Sequence, residues 1–224
     1  VGGTNVGGLV GYLQDGVIQN SFASGSVTGG TAAVGGLVGY AVALTSNSAI
    51  SDSYAVGTVS GTSAVGGLVG YAVENSFGSF ALSITDSYAT GNITGSVNAG
   101  GLVGFSSGTS VVSSFWDLNT SGVSRGVVGS GKTTSQMLDT STYSSWDIAE
   151  GSIASNTWGI CPDINGGYPF LTIFYPTGTC DELRRGVMPQ PQLVDFTYLL
   201  PDGRECSSIS PQQVQVGTMH VLPG

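Results

Sequence analysis

The sequence predicts an all-β chain dominated by a parallel β-solenoid, and three observations lead to this prediction. A glycine-rich string, GGLVG, occurs four times in the first half of the chain. Two further blocks recur in phase with it, built from the β-branched, aliphatic and aromatic residues that favour strands. No proline precedes Pro162, so nothing before it interrupts a β-ladder. Helix is disfavoured because each glycine costs roughly 0.5–1 kcal/mol relative to alanine in a helix interior.

The repeat consists of three blocks in a constant order. The GGLVG strings begin at Gly7, Gly35, Gly66 and Gly100, which are 28, 31 and 34 residues apart. The aromatic residues that follow them are Tyr12, Tyr40, Tyr71 and Phe105. The second block occurs as Ile18–Ala23, Ile50–Ala55, Ile84–Ala89 and a degenerate Val111–Trp116. The third occurs as Gly25–Gly29, Gly57–Gly61 and Gly91–Gly95.

Stacking of the repeats explains how the chain buries its apolar residues. One unit of three short strands cannot cover its own apolar face, but units stacked in register can. Equivalent residues then form columns with a rise of roughly 4.8 Å per coil. We expect apolar ladders of leucines and isoleucines and a stack of aromatic rings. The expected solenoid spans residues 1–125, and the chirality rule for parallel crossovers makes it right-handed.

Glycines in the repeat have two interpretations that the sequence does not separate. They either adopt positive φ at a corner or leave space for a close backbone approach inside the solenoid. Both interpretations predict that Gly36→Val damages folding. The residues expected to carry the repeat structure are Gly36, Leu37, Gly39, Tyr40, Gly67, Leu68, Gly70 and Tyr71.

These blocks resemble the GLUG-motif family, named for the Gly-Leu-(hydrophobic)-Gly core that stands here as GGLVG. The Ser-Tyr-Ala-x-Gly-x-Val segment at Ser53–Val59 also fits, as does Ser87–Ile93. The resemblance implies an extracellular location, as in filamentous-haemagglutinin-like adhesins of bacteria and archaea, and a scaffold or adhesive role. It implies no catalytic residues. The segment from Ser114 to Leu171 is similar to the one that often follows the last GLUG unit.

The rest of the chain divides into two further segments. We expect an irregular C-terminal cap of the solenoid over residues 126–179 and, over 180–224, a tail, a linker or the start of a further β module. A short strand at Leu193–Leu200, turned by Pro201–Gly203, is predicted in this last part. Among the three cysteines, Cys161 and Cys180 are the candidate pair for one disulfide in an oxidising compartment.

Charge excludes several classes of partner. The formal net charge is −9, and none of the five Lys and Arg residues precedes Arg125. Nucleic acids and anionic membrane surfaces need clustered basic residues, so neither is an expected partner. No apolar run is long enough to span a bilayer, and no cofactor is expected.

A phosphate-binding loop is suggested by the string from Gly126 to Thr133, which matches G-x-x-x-x-G-K-[ST] literally. A functional loop of this type follows a buried strand in an α/β domain and opens a helix. Polar loop residues precede this one, and the chain lacks alternating β and α units. The sequence therefore favours a loop that leads into a short Thr133–Leu138 helix.

Two polar columns offer weaker functional candidates. Asn20, Asp52 and Asp86 recur in phase, and stacked carboxylates are typical of calcium sites or glycosidase pairs. Asp52 and Asp86 are weak calcium candidates, whereas side-chain bonding at turns explains the column without a ligand. The second column is an array of hydroxyl and methyl groups that could order ice; it contains Ser26, Thr28, Thr58, Ser60, Asn92 and Thr94.

The sequence therefore predicts a non-enzymatic, secreted or cell-surface repeat module that binds a glycan or a protein through a solenoid face. A self-assembling subunit of an extracellular fibre or sheath is the alternative, in which the partner is another copy of the chain. An ice-binding solenoid and a polysaccharide-active enzyme are lesser alternatives, the latter because few acids and no histidine occur in the repeats.

Overall fold

The computed structural model describes residues 4–30, 32–74, 80–153, 155–175, 178–185, 197–199 and 205–207. The first part of the chain is a parallel β-solenoid, as the repeat predicts. Each full coil contributes strands to four sheets, which we call A to D, rather than to the expected three. The additional strand arises because the GGLVG string is bent at its second glycine and leucine, which separates a short sheet A strand from a sheet B strand.

The strands of the four sheets follow one another along each coil. Sheet A contains Val6–Gly7, Val34–Gly35, Ser63–Gly66 and Val97–Gly100. Sheet B contains Val10–Gln14, Val38–Ala43, Val69–Glu74 and Val103–Ser107. Sheet C contains Val17–Ala23, Ser48–Ala55, Leu82–Thr85, Tyr88–Ala89, Ser110–Val112, Phe115–Asp117 and Ser130–Lys132. Sheet D contains Val27–Thr28, Val59–Ser60 and Ile93–Thr94.

Equivalent residues of successive coils lie beside one another in these sheets. Ile50 pairs with Ile18 on one side and with Ile84 on the other. The leucine column is similar, and Leu37, Leu68 and Leu102 have no exposed surface. Inward residues of sheets A and D form a second apolar cluster around Val34, Val59 and Val65. The solenoid therefore buries apolar side chains along its whole described length.

Close backbone approach, rather than positive φ, explains the paired glycines of the repeat. A Cβ atom added to Gly36 would lie inside van der Waals contact with the carbonyl oxygen of Gly67 and 2.8 Å from the Cβ of Ala55. A Cβ on Gly39 would lie 2.6 Å from the carbonyl oxygen of Gly11. Neither glycine has a left-handed φ. Of the two interpretations that the sequence leaves open for these glycines, the structure supports close packing and not positive φ.

In each of the four coils, the chain bends within sheet C at a residue whose φ lies in the left-handed region. The φ angles are 50° at Asn20, 45° at Asp52 and Asp86, and 47° at Ser113. Asparagine and aspartate tolerate this region better than other side chains, which accounts for most of the column. The serine after each bend is buried and restores hydrogen bonding; for example, Ser53 Oγ accepts from Ser21 N at 3.3 Å and donates to Ser51 O at 2.7 Å.

Trp116 covers the C-terminal end of the solenoid core. Its side chain is buried within the leucine and isoleucine cluster, and Leu118 and Val128 pack against the same cluster. A Cβ on Gly101, Gly126 or Gly131 would collide with or crowd the Trp116 indole. The short helix Leu118–Ser121 and the strand Ser130–Lys132 belong to this end.

Residues 133–153 and 155–175, which we call the lateral segment, lie along the side of the solenoid. The expected cap over 126–179 is therefore divided: its first residues close the end, and the remainder covers sheet C. Outward aromatic residues of all four coils, Phe22, Tyr54, Tyr88 and Phe115, share one buried cluster with this segment. Its partners in that cluster include Met137, Tyr143, Trp146, Trp158 and Leu171.

Short elements build the lateral segment and its continuation. The helical elements are Thr134–Met137, Thr140–Tyr143, Asn165–Gly167, Thr172–Phe174 and Cys180–Arg184. The strands are Ile148–Glu150, Ser152–Ile153, Trp158–Ile160, Phe170–Leu171 and Gly178–Thr179. Cys161 and Cys180 form a disulfide with a Cα–Cα distance of 5.7 Å, which fastens the Cys180–Arg184 helix to this region.

Part of the predicted tail strand is present as Thr197–Leu199, which pairs antiparallel with Glu205–Ser207. The predicted turn at Pro201–Gly203 lies outside the described residues. Among the described helices, none has the length and apolarity needed to cross a bilayer.

Candidate functional site

A ladder of aromatic rings occupies the outer surface of sheet B. Tyr12, Tyr40, Tyr71 and Phe105 stack with centroid separations of 5.2, 5.0 and 4.4 Å along the ladder. Tyr12 is 49% exposed, and the other three are half-buried. Because each ring covers the face of the next, the ladder presents ring edges and three phenol groups to a partner. We call these four residues the aromatic face.

A row of hydroxyl groups occupies the outer surface of sheet D. Thr58 Oγ1 donates to Ser26 Oγ at 2.8 Å, and Ser60 Oγ donates to Thr28 Oγ1 at 3.1 Å. The alternating residues Val27, Val59 and Ile93 are buried. This row, which ends in Asn92 and Thr94 on the third coil, is called the hydroxyl face.

Asp15 makes hydrogen bonds that join two successive coils of the solenoid. Asp15 Oδ1 accepts from the backbone N–H groups of Leu44, Thr45 and Ser46 at 2.7, 3.0 and 3.2 Å. Thr45 Oγ1 donates to Asp15 Oδ2 at 2.6 Å. The hydroxyl bond from Thr45 and these N–H bonds hold the pKa of Asp15 well below its usual range. Asp15 therefore fixes the loop of the next coil.

Asp117 joins the solenoid end to the lateral segment. It is completely buried, and its Oδ1 accepts from the N–H groups of Asn119 and Thr120 at the start of the Leu118–Ser121 helix. Its Oδ2 accepts from Tyr168 Oη at 2.7 Å and from Thr134 Oγ1 at 2.8 Å. Burial and the bond to Asp117 raise the pKa of Tyr168 to about 12. A carboxylate with four donors and a defined structural position is suited to anchoring rather than to proton transfer.

The string from Gly126 to Thr133 forms structure without a phosphate cradle. Ser130–Lys132 is a strand, and Lys132 Nζ lies 5.5 Å from the centroid of the Phe115 ring. Thr133 caps the four-residue helix Thr134–Met137 in a capping box with Gln136. The predicted short helix is present as Thr134–Met137, but the strand Ser130–Lys132 lies between it and the loop. Gly126 and Gly131 pack against Trp116, whereas Gly129 has a left-handed φ of 85°.

The two candidate calcium residues occupy successive bends of sheet C. Asp52 Oδ1 accepts from the indole Nε1 of Trp158 at 3.3 Å, and Asp52 Oδ2 accepts from Gln19 Nε2 at 3.4 Å. Within the part of the chain that the structure describes, no group of three or more His, Cys, Asp or Glu residues is arranged to hold a metal ion. The calcium site at Asp52 and Asp86 stays a prediction, and the bends give both residues a structural role.

Replacing Asp86 by asparagine is expected to stabilise the protein at neutral pH. Burial, followed by the charge of Asp52, raises the pKa of Asp86 above its ordinary value of 3.8. Because the folded-state pKa exceeds the unfolded one, the ionised carboxylate lowers stability, and this loss is relieved as pH falls below the folded pKa. Asparagine removes the charge and tolerates the left-handed backbone.

Thermal unfolding midpoints measured between about pH 7 and pH 4 test this expectation. The Asp86→Asn variant should melt higher than the wild type near neutrality, and the difference should shrink towards acid pH. A variant that melts lower at neutral pH would show that the carboxylate has a favourable partner. If added calcium raises the unfolding midpoint of the wild type but not that of the variant, the favourable partner of Asp86 is calcium.

Several residues important to this surface have no repeat counterpart. Trp146, Trp158 and Tyr168 contact the outward side of sheet C, whereas the sequence placed them only within the expected cap over 126–179. Phe22, Tyr54 and Tyr88 form a second aromatic column in the repeat, on the outward side of sheet C. This column is the signal in the sequence that other residues must cover that side of the sheet.

Comparison with known proteins supports the repeat and the fold. The family model described as "The GLUG motif" matches residues 2–28. The structure is similar to the crystal structure of a putative immunoglobulin A1 protease from Bacteroides ovatus, with a TM-score of 0.55 and 20% sequence identity. The match covers 76% of this chain and 53% of that chain, so this chain spans about half the length of its structural neighbour. At this identity the likeness concerns the fold. A search of curated proteins finds no match.

Proposed function

We propose that this chain is an extracellular structural and adhesive repeat module, whose aromatic face contacts a glycan or a protein surface. The GLUG motif and the parallel solenoid support an extracellular repeat module. The observation that carries the adhesive role is the partly exposed ladder of Tyr12, Tyr40, Tyr71 and Phe105, which repeats a phenol or ring edge at every coil.

The chemistry of this surface favours a neutral partner. Tyrosine combines a large apolar body with a polar end and is enriched in protein interfaces. Basic residues are absent before Arg125, so acidic polymers would find little attraction in the repeats. The repeated spacing also lets weak contacts act together on an extended partner.

A non-catalytic role is part of the proposal. Asp15 and Asp117 accept several intramolecular hydrogen bonds each, and Asp52 accepts from Trp158 and Gln19. Glu74 Oε1 accepts from Leu82 N at 3.0 Å. Carboxylates occupied in this way are poorly placed to act as a general acid and base on a substrate.

Binding of the purified chain to arrays of glycans and to intact cell surfaces tests the adhesive role. We expect the double variant Tyr40→Ser/Tyr71→Ser to lose about tenfold or more in affinity, because centrally placed aromatic residues dominate interface energies. The matched control is Thr28→Ala/Ser60→Ala on the hydroxyl face, which should bind like the wild type. The proposal would be contradicted if the control lost affinity while the tyrosine variant bound like the wild type.

Self-assembly is the second candidate. The first-coil strands Val6–Gly7, Val10–Gln14, Val17–Ala23 and Val27–Thr28 each pair with one neighbouring strand within the described residues. The edge of a sheet can accept a strand of another chain by strand addition. Sedimentation velocity over rising concentration separates the two candidates, because a fibre subunit forms growing species whereas an adhesive module stays at a constant size.

A further inference from the structure

A polar cleft lies where the lateral segment meets the first coil of the solenoid. Its volume is about 370 Å³, and it opens to solvent. One wall is the sheet C bend at Asn20, and the opposite wall is formed by the turn Ser155–Thr157 and by residues of the Thr172–Tyr175 stretch. A volume of this size lies within the range of small-ligand sites in proteins.

The bend at Asn20 differs in its hydrogen bonding from the bends of the second and fourth coils. In the fourth coil, Trp146 Nε1 donates to Ser113 O at 2.8 Å. In the second coil, Trp158 Nε1 donates to Asp52 Oδ1 at 3.3 Å. Asn20 Oδ1 is shielded by protein and has no hydrogen-bond partner among the described residues. The lateral segment therefore supplies donors to two bends and leaves a cleft beside the first.

The unpartnered amide is an unfavourable feature unless a ligand supplies the missing donor. A buried polar atom without a partner has lost its hydrogen bonds to water and gained none in exchange. Asn20 lines the cleft, and the last side-chain torsion of asparagine is broad, so rotation about it is the movement that would bring Oδ1 to a ligand there. A hydroxyl group entering the cleft could then donate to it.

The remaining lining is uncharged and consists of hydroxyl, amide and aromatic side chains together with the apolar Ile173. Ser155, Thr157 and Thr172 contribute hydroxyls, Asn156 an amide, and Tyr175 an aromatic ring. Asp147 fixes this wall from behind, because Asn156 Nδ2 donates to its Oδ1 at 2.6 Å and Thr157 N donates to its Oδ2 at 2.8 Å. Thr172 Oγ1 in turn donates to Asn156 O. The wall is thus held in place by its own contacts.

We propose that this cleft binds one neutral glycosyl unit, with Asn20 accepting a hydrogen bond from a sugar hydroxyl and Tyr175 packing against the ring. Neutral amides, hydroxyls and an aromatic ring match a ligand that carries many hydroxyls and no charge. The proposal rests on the proposed function in that it takes the partner to be a glycan, and it assigns recognition to a site other than the aromatic face.

Calorimetric titration of the full chain with neutral oligosaccharides tests this site. The probes are oligomers of glucose, galactose, mannose and N-acetylglucosamine, with uronate and sialylated oligosaccharides as acidic comparisons. Asn20→Gly removes the amide and accepts the left-handed φ of 50° without strain. Tyr175→Leu removes the ring. Each variant should weaken binding of a neutral oligosaccharide by about tenfold or more.

The control variant is Asn98→Gly, the same replacement at another left-handed position, with φ 52° in sheet A. It should bind like the wild type, and its melting temperature shows what the replacement itself does to stability. Full affinity in Asn20→Gly, a preference for the acidic oligosaccharides, or no binding across the neutral panel would each overturn the proposal.

The aromatic-face variant Tyr40→Ser/Tyr71→Ser distinguishes this proposal from the proposed function. Oligosaccharide binding lost only in Asn20→Gly supports the cleft and leaves the aromatic face to a protein partner. Binding lost only in the tyrosine variant overturns the cleft and supports the adhesive face.

Discussion

Replacing Gly36 by valine is expected to prevent the solenoid from folding. The first added carbon would already overlap the carbonyl oxygen of Gly67 on the next coil and lie 2.8 Å from Ala55 Cβ. Both neighbours are fixed, one by the backbone and one by a buried alanine, so the coils would have to separate. Even Gly36→Ala should cost about 3 kcal/mol, near the upper part of the usual range for overpacked cores.

Circular dichroism and thermal unfolding measure this effect, with Gly151→Ala as the matched control. Gly151 has a left-handed φ of 70°, but a Cβ there meets nothing within 4 Å. The control should therefore show about 1–2 kcal/mol of backbone strain without a packing defect. If Gly36→Ala were milder than Gly151→Ala, close coil packing at this position would be wrong.

Replacing Trp158 by alanine is expected to release the lateral segment from the solenoid. Trp158 is completely buried, and its ring centroid lies 5.9 Å from that of Tyr54 and 6.0 Å from that of Tyr88. Buried tryptophan-to-alanine replacements cost about 3–5 kcal/mol, and here a hydrogen bond to Asp52 is lost as well. Limited proteolysis should cut the lateral segment first, before the coils.

Trp158→Phe separates packing from hydrogen bonding in this experiment. Phenylalanine keeps most of the ring contact and removes the indole N–H, so the loss should be smaller than for alanine. Equal protease resistance of the alanine variant and the wild type would contradict the packing of the lateral segment along sheet C.

The columns of the solenoid could be predicted because a stacked repeat converts equal sequence position into spatial contact. Ile50 therefore lies between Ile18 and Ile84, and Tyr40 between Tyr12 and Tyr71. The glycine interpretation could not be chosen in advance, since positive φ and a close approach both demand the same residue. The backbone conformation of Gly36 and its distances to Gly67 and Ala55 separate them.

The lateral segment could not be placed from the sequence because it does not repeat. Its contact between Trp158 and Asp52 joins residues far apart in the chain, and no periodic pattern relates them. Asp117 is one of few acids in this part of the chain, and its burial under Tyr168 and Thr134 depends on that same placement. The cleft beside Asn20 likewise exists only where this segment leaves a bend uncovered.

Disulfide trapping between successive coils tests the stacked-coil arrangement most directly. Ser26 and Thr58 lie side by side, each directly before a strand of sheet D, with their hydroxyl oxygens 2.8 Å apart. In a Cys206→Ser background, the pair Ser26→Cys/Thr58→Cys should oxidise to one new disulfide, identified by peptide mass mapping. The pair Ser26→Cys/Asn92→Cys, two coils apart, should stay reduced. Rapid bridging in the second pair but not in the first would contradict the parallel, in-register solenoid.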